Sequence, residues 1–467
     1  MEYSVVTYKK LKDHDDWRWD GEFLCFEPRH NARYVYKPIG DVLKFSQYGI
    51  SIDMNEESNG YKIYRMNEIS NMFCDRLINK FADISKEQLK KFKLKDNDVL
   101  FNRTNSQEFV GRTGIFKKFS DEEIVFASYL IRVRPSEEEI LPEYLTTFLN
   151  TQYGIQDAKR RARISINQSN INAEELKRVK IPILPMGIQK EIRDIFNQSF
   201  TLVNKSEALY FQAEQILLSE LNLLNWKPRH RLSFVKRCSD TGSAGRIDAE
   251  YFQPMYEKVV KEVFKYKKGY GVLGDLVKVK DKNFTPKDDL IYKYIELANI
   301  STNGSITGFT EEMGKELPTR ARRKVNTGDV IVSSIEGSLS SIALITESLN
   351  NALCSTGFYV IDSENINSET LLVFLKSKAG QLQLKKGCSG TILTAISKDE
   401  LVKLIIPKIT DKIQDEIKTK ITEMYNTKAL SNSLLNIAKL GVELAIEKEE
   451  KHAQAVINSE LKKLNIR

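Results

Sequence analysis

The chain has 467 residues, of which 41% are hydrophobic and 29% charged, and it carries a net charge of +8. This length and mixture are typical of a protein with two or more globular domains and full cores. The five cysteines are odd in number and form no CxxC pair, which argues against a disulfide scaffold and against structural zinc. The first residues lack the apolar core of a signal peptide, and no apolar run is long enough to span a bilayer, so we expect a cytoplasmic protein without a membrane partner.

The sequence contains one pattern twice. Five residues of segment 171–182 recur 225 positions later: Ile171, Glu175, Leu176, Ile181 and Pro182 match Ile396, Glu400, Leu401, Ile406 and Pro407. Gln189 and Gln414 keep the same offset, and residues 98–100 align with 329–331 at an offset of 231. Because the matches keep their order while the offset drifts slowly, they indicate an internal duplication.

Each copy begins with a mixed segment of strands and helices. In the first copy a strand-like run at 98–101 is followed by a helical stretch at 142–150, and in the second copy strand-like runs at 329–334 and 357–361 precede a helical stretch at 368–380. Turns rich in Gly, Asn and Ser separate these elements. The pattern predicts an α+β lobe in each copy.

A long helix is predicted after each lobe. Apolar residues recur every seven positions from Ile188, and a neighbouring column of small residues contains Ser199, Ser206 and Ala213. The second copy keeps small residues at Ser431 and Ala438. Since small side chains let helices approach closely, we expect the two helices to pack against each other, in antiparallel orientation. The alternative is that each helix packs only on its own lobe.

The predicted fold is therefore α+β, with two repeated globular recognition lobes separated by two long antiparallel coiled-coil helices and an internal pseudo-twofold repeat. The expected boundaries are, in chain order, a first recognition domain at 1–185, a spacer helix at 186–226, a linker at 227–245, a second recognition domain at 246–408, a second spacer helix at 409–450 and a charged tail at 451–467.

Enzyme motifs are missing from the sequence. Residues 269–274 fit the GxGxxG pattern, but charged residues precede them and strand-like alternation follows, so a turn is expected. Residues 308–315 have the wrong glycine spacing for a phosphate loop, and Glu316 replaces the required Ser or Thr. No Pro-Pro pair of an amino-methyltransferase motif and no GxSxG elbow occur. We expect a non-catalytic chain without cofactor or metal.

Basic and amide residues cluster at matching places of the two copies. Segment 159–170 corresponds to 385–391, and segment 102–106 corresponds to 333–338. Cations of this kind neutralise phosphates, and Asn, Gln and Arg pair with base edges. The alternative for any one of these residues is a solvated polar turn. The candidate DNA-binding residues are Arg103, Asn105, Arg112, Arg160, Arg161, Arg163, Asn167, Gln168, Arg320, Arg322, Arg323, Ser334, Lys385, Lys386 and Thr391.

The arrangement resembles the specificity subunit of type I restriction-modification systems. The resemblance lies in residues 95–105, 110–114, 166–171 and 181–189 of the first copy and in residues 327–333 and 405–407 of the second. It implies two target-recognition domains, each reading one half of a split site on double-stranded DNA. It also implies helices that dock modification (methyltransferase) subunits, through which restriction subunits join, while the catalytic cofactors belong to those partners.

One departure concerns the entry to the second helix. The first copy has Pro182 and Pro185 around an apolar pair, whereas the second reads Pro407-Lys408-Ile409-Thr410, so equal docking by both helices does not follow from the resemblance. Two other interpretations stay open at this point. In the first, the chain is the recognition chain of a different methyltransferase-nuclease system. In the second, it is a coiled-coil scaffold that does not bind DNA.

Overall fold

The computed structural model describes residue 5 and residues 7–9, 21–25, 31–76, 78–165, 168–301, 303–390 and 394–466. The chain forms two compact units, one made of Met1–Val203 with Lys428–Arg467 and the other of Asn204–Thr427. Each unit contains one lobe together with one part of each long helix. No helix among the described residues is both long and apolar enough to cross a membrane.

The first lobe alternates short strands and helices and leads into the first long helix. Its elements are α1 (Gly21–Cys25), β1 (Tyr36–Pro38), β2 (Leu43–Tyr48), β3 (Tyr61–Tyr64), β4 (Ile69–Ser70), β5 (Phe73–Cys74), β6 (Phe81–Ala82), α2 (Lys86–Phe92), β7 (Asp98–Asn102), β8 (Thr104–Asn105), β9 (Thr113–Phe116), β10 (Ile124–Phe126), β11 (Leu130–Pro135), α3 (Pro142–Leu149), α4 (Gln152–Arg160), β12 (Arg163–Ser165), β13 (Gln168–Asn170), α5 (Ala173–Arg178), β14 (Lys180–Pro182) and α6 (Met186–Glu220).

The second lobe has the same kind of elements and is followed by the second long helix. They are α7 (Cys238–Ala244), α8 (Pro254–Phe264), β15 (Tyr270–Val272), α9 (Leu273–Leu276), β16 (Val277–Lys280), β17 (Ile291–Ile295), β18 (Thr310–Met313), β19 (Ala321–Lys324), β20 (Val330–Ser333), β21 (Ile342–Leu344), β22 (Leu353–Ser355), β23 (Phe358–Ser363), α10 (Ser368–Lys376), α11 (Lys378–Lys386), β24 (Cys388–Ser389), β25 (Ala395–Ile396), α12 (Lys398–Val402), β26 (Ile405–Pro407), α13 (Asp411–Glu447) and α14 (Glu450–Lys463).

The sheets of the two lobes share a common set of strand pairings, which confirms the predicted α+β repeat. The order β2-β11-β7-β9 in the first lobe corresponds to β16-β23-β20-β21 in the second. The parallel pair of β3 and β10 corresponds to the parallel pair of β17 and β22. The antiparallel pair of β1 and β14 corresponds to that of β15 and β26. The GxGxxG segment thus contains strand β15 and the one-turn helix α9, rather than only the turn that we expected.

The central strand of each sheet is buried on both faces. In β7, Val99 and Phe101 contribute to the core beneath the helices, whereas Leu100 contributes to a second core on the opposite face. In β20, Val330 and Ile331 divide between two cores in the same way. Because alternate residues of a strand point to opposite faces, an unbroken apolar run is what such a doubly covered strand requires.

A buried aspartate stands at the start of this strand in both lobes. Asp98 accepts a hydrogen bond from the backbone N–H of Lys95 at 2.8 Å, and Asp329 accepts one from Asn326 at 2.8 Å. Arg134 binds Asp98 with its Nη2 at 2.9 Å, and Lys280 binds Asp329 at 2.7 Å. Burial raises the pKa of Asp329 and outweighs the opposing effect of Lys280. The aspartate of the repeated Asp-Val pair thus closes the turn before the strand and pairs with a cation.

The long helices pack antiparallel within each unit, as predicted. In the first unit the buried hydroxyls of Ser199 and Ser431 lie 2.8 Å apart, and Ile192 lies beside Gly441. Later residues of one helix therefore meet earlier residues of the other. In the second unit Lys205 forms an ion pair with Glu423 at 2.8 Å. The small column is buried, as close helix packing requires: Ser199, Ser206, Ala213, Ser431 and Ala438.

Residues beyond the second long helix also form a helix. Ala453, Ile457 and Leu461 of α14 are buried in the core of the first unit. Their spacing of four residues places them on one face of the helix. The segment that the sequence presents as a charged tail therefore contributes apolar surface to the first unit.

A glutamine near the start of each long helix connects that helix to its lobe. The Gln189 amide oxygen accepts a hydrogen bond from Leu141 N–H at 2.9 Å, and its nitrogen donates to the carbonyls of Glu139 and Leu184. Gln414 accepts from Asn367 N–H at 2.8 Å and donates to the carbonyl of Ile409 at 2.9 Å. These contacts explain why this glutamine recurs at the same offset as the preceding proline.

We predict that Gln189→Leu destabilises the first unit by about 2–4 kcal/mol, because it leaves several buried backbone groups without partners. Urea unfolding followed by tryptophan fluorescence and circular dichroism measures the change. Lys190→Ala, at the neighbouring exposed position, is the matched control and should leave the unfolding midpoint unchanged. A Gln189→Leu midpoint equal to that of the control would contradict the proposed anchoring role.

Candidate nucleic-acid interface

A small three-stranded sheet in the first lobe brings the two predicted contact segments together. Strand β13 lies between β12 and β8, with Arg163 opposite Asn170 and Asn170 opposite Thr104. Arg163 and Gln168 are exposed on this sheet. Segments that are 60 residues apart in the chain thus share one polar surface, as a joint binding role would require.

The Arg103 side chain makes hydrogen bonds that connect this sheet to the rest of the lobe. Its guanidinium donates from Nη2 to the Asn170 amide oxygen at 3.2 Å and from Nη1 to the Ser128 carbonyl at 3.3 Å. The same group lies over the Tyr48 ring, 4.9 Å from its centroid. The Asn170 nitrogen donates to the Thr104 hydroxyl at 2.7 Å. Arg103 is therefore held by its own lobe and positions an amide beside it.

The second lobe repeats the backbone of this sheet. Ser389 of β24 lies opposite Ala395, and Ala395 forms a bridge with Ile335. Ile396 N–H donates to the Ser334 carbonyl at 2.8 Å, just as Ile171 N–H donates to the Arg103 carbonyl at 2.8 Å. The frame is preserved, while the side chains that it presents are different.

Two arginines of the predicted basic run point inward. Arg161 is buried and lies 3.3 Å from Asp157 and 3.6 Å from Glu175. Arg160 binds Asp157 at 2.6 Å, and its guanidinium lies over the Phe23 ring. Each of these charges has a carboxylate partner within the lobe, so their position serves the packing of α4.

Other candidates of the first lobe lie nearer to solvent. Arg112 is exposed, and its guanidinium stands 3.9 Å from the centroid of the Phe109 ring. Asn105 is half-buried and accepts a hydrogen bond from Ser106 N–H at 2.8 Å. Asn167, a DNA-binding candidate of the first lobe, lies outside the described residues, as does Thr391 in the second lobe.

Ser334 and Arg320 of the second lobe are linked through two adjacent residues, Thr356 and Gly357. Arg320 is exposed and binds Glu296 at 2.7 Å, a hydrogen bond that raises the arginine pKa. Its carbonyl accepts a hydrogen bond from Thr356 N–H, while the next residue, Gly357, accepts from Ser334 N–H. Arg320 thus lies close to Ser334.

The neighbours of Arg320 on β19 are more enclosed. Arg322 donates to the Thr319 carbonyl at 3.0 Å. Arg323 is half-buried, and its Nε and Nη1 have no hydrogen-bond partner among the described residues. These arginines are neighbours in the sequence, but they do not lie together on one exposed surface.

Lys385 and Lys386 end helix α11 beside the β24–β25 pair. Lys385 is exposed and lies 3.6 Å from Glu250. Lys386 lies over the Tyr251 ring at 5.0 Å, and burial lowers the pKa of its ammonium group. Both lysines approach neighbouring residues, Glu250 and Tyr251, just before helix α8.

Four residues that were not among the DNA-binding candidates lie beside the predicted site, although Ile164 and Asn170 fall within the predicted contact segment 159–170. Tyr48 and Tyr129 flank Arg103 and are 40% and 39% exposed, and Ile164 is 50% exposed on β12. Arg103 N–H donates to the Tyr129 carbonyl at 3.0 Å. Asn170 is the fourth. Apolar exposure of this kind marks contact surfaces, but only folding brings these residues together.

No group of three or more His, Cys, Asp or Glu side chains suited to a metal ion occurs in the part of the chain that the structure describes.

Residues 31–210 match the family model described as the type I restriction modification DNA specificity domain. The putative type I restriction enzyme MjaX specificity subunit of Methanocaldococcus jannaschii is 29% identical over 189 residues, which cover 40% of this chain and 44% of the relative. The type I restriction enzyme EcoKI specificity subunit of Escherichia coli is 29% identical over 185 residues, or 39% of each chain. The matches span less than half the length of these curated relatives.

Solved structures that are similar to this chain include the S subunit of the type I restriction-modification system from M. genitalium. It has 11% identity and a TM-score of 0.33, and the match covers 93% of this chain and 97% of that one. The HsdS subunit from Thermoanaerobacter tengcongensis has 11% identity, a TM-score of 0.29 and coverage of 90% and 98%. The family match over residues 31–210 and the two curated relatives confirm the resemblance to type I restriction-modification specificity subunits that was found in the sequence.

Proposed function

We propose that this chain is the sequence-reading subunit of a type I restriction-modification complex, in which each lobe reads one half of a bipartite double-stranded DNA target. The observation that carries the proposal is the shared strand frame of the two lobes. Arg163 and Asn170 in the first lobe are replaced by Ser389 and Ala395 at the same frame positions in the second. One frame with different side chains suits two different short sequences.

The different roles of the basic residues follow from their solvent exposure and their ion pairs. Arg163 is exposed on the sheet and contacts phosphate, whereas the paired and enclosed Arg160 and Arg161 hold the lobe together. Phosphate contacts set register and affinity, while amide and guanidinium contacts with base edges set sequence. The recognition domains in this proposal are residues 1–185 and 246–408.

We also propose that the long helices dock modification subunits, and restriction subunits through them. The chain itself has no catalytic role, and methyl transfer and cleavage belong to these partners. The relatives are named as specificity subunits of restriction enzymes, which supports this assignment. The departure at Pro407-Lys408 favours unequal docking at the two helix entries.

Selection from a pool of random duplexes by the purified full chain, alone and with a methyltransferase partner, tests the proposed function. We expect two short conserved sequences separated by a gap of fixed length. Enrichment of no sequence under either condition would contradict sequence reading and would favour the scaffold interpretation.

Exchange of residues 246–408 for the matching lobe of a related subunit should change one half-site and leave the other unchanged, because each lobe has its own core and its own polar sheet. The same duplex selection measures the result. A change in both half-sites would show that the lobes do not read independently.

Two arginines that are two positions apart should behave differently on substitution. Arg163→Ala should weaken binding to all duplexes and reduce the slope of log affinity against log salt by about 1, because one phosphate contact is lost. It should leave the unfolding midpoint unchanged, since the side chain is exposed. Salt-dependent fluorescence anisotropy measures the slope.

Arg161→Ala should instead destabilise the first unit by about 3 kcal/mol, because two buried carboxylates lose a partner. Urea unfolding measures this change. A salt slope that falls for Arg161→Ala in a fully folded chain, but not for Arg163→Ala, would reverse the assignment.

A further inference from the structure

The Asn170 amide is held by two neighbours in the polar sheet of the first lobe. Arg103 donates to its oxygen at 3.2 Å, and its nitrogen donates to the Thr104 hydroxyl at 2.7 Å. An asparagine amide has two N–H donors and two oxygen lone pairs. Among the described residues, these two bonds leave one N–H and one lone pair of Asn170 without a side-chain partner.

An amide with one free donor and one free acceptor matches a single base edge. In the major groove, adenine presents the N7 acceptor beside the N6 donor, and asparagine binds both at once. A freely rotating side chain loses conformational entropy when it binds, and a side chain already held in place loses less. Arg103 and Thr104 therefore prepare Asn170 for such a contact.

Asn170 lies on a strand that is suited to enter a DNA groove. It lies on β13 directly opposite Arg163, and Gln168 lies two residues earlier on the same face of the strand. Arg163 and Gln168 are exposed. A two-stranded β-ribbon fits the major groove of B-form DNA, and the antiparallel pair of β12 and β13 has this form.

The second lobe lacks the same arrangement at the equivalent positions. Ala395 stands where the first lobe has Asn170, Ile335 stands where it has Thr104, and Ser334 stands where it has Arg103. The backbone pairing is preserved, yet no amide is present there. The difference lies in the chemistry presented to a ligand and not in the strand frame.

We propose that Asn170 reads an adenine in the half-site bound by the first lobe, and that Arg103 and Thr104 are positioning residues for its amide. The inference rests on the proposed function. It predicts that the half-site of the first lobe contains one adenine that depends on this amide and that the half-site of the second lobe contains no adenine read from the equivalent position.

The test is duplex selection with the full chain and its variants. Asn170→Ala should reduce the preference for adenine at one position roughly ten- to a hundred-fold and leave the other positions and the salt slope unchanged. Thr104→Val, which removes the hydroxyl at nearly constant volume, should reduce the same preference, and Thr104→Ser should restore it. A purely structural role of Thr104 would affect all positions of the half-site together.

Ser389→Ala in the second lobe is the matched control, because it changes an exposed strand residue opposite Ala395. It should leave the first half-site unchanged. If the wild-type chain selects a bipartite site and folded Asn170→Ala selects the same bases with the same preferences, the assignment of Asn170 is wrong while the proposed function stands. If the wild-type chain selects no sequence, the proposed function itself fails.

Discussion

Burial of a polar side chain at the junction between lobe and helix is the constraint on which the rest of the structure depends. A buried amide must satisfy its hydrogen bonds or lose on the order of 1–3 kcal/mol for each group left unpaired. Gln189 satisfies this requirement with backbone groups from both sides of the junction. The helix is consequently held in one orientation relative to the segments of its own lobe that precede α3 and follow β14. Gln414 makes similar contacts in the second lobe.

Rigid anchoring of this kind leaves other parts of the lobe free to vary. Backbone pairing holds β13 between β12 and β8, so the exposed side chains of these strands contribute little to stability. Replacement of Asn170 by Ala395 at equivalent frame positions shows how far these side chains have diverged while the pairing of the strands is kept. Sequence recognition by variable residues on a fixed scaffold is a common use of such architecture.

The duplication could be predicted from the sequence because the repeated residues have obligatory roles. Asp98 and Asp329 each close a turn, and Gln189 and Gln414 each join a long helix to its lobe. Ser206 and Ser431 are buried small residues that allow close helix packing. The roles of the basic residues could not be predicted. Arg161 and Arg163 look alike in a charged run, and only the folded lobe brings Asp157 and Glu175 beside Arg161. The prediction that both arginines contact DNA stays a prediction, and the structure favours Arg163.

Hydroxyl-radical footprinting of the full chain on a duplex that it selects is the most direct test of independent reading by two lobes. Independent reading predicts two protected segments on the duplex with an accessible stretch between them. It further predicts that Asn170→Ala weakens protection in only one of the two segments. A single continuous protected segment, or equal weakening of protection along the whole site, would contradict independent reading by the two lobes.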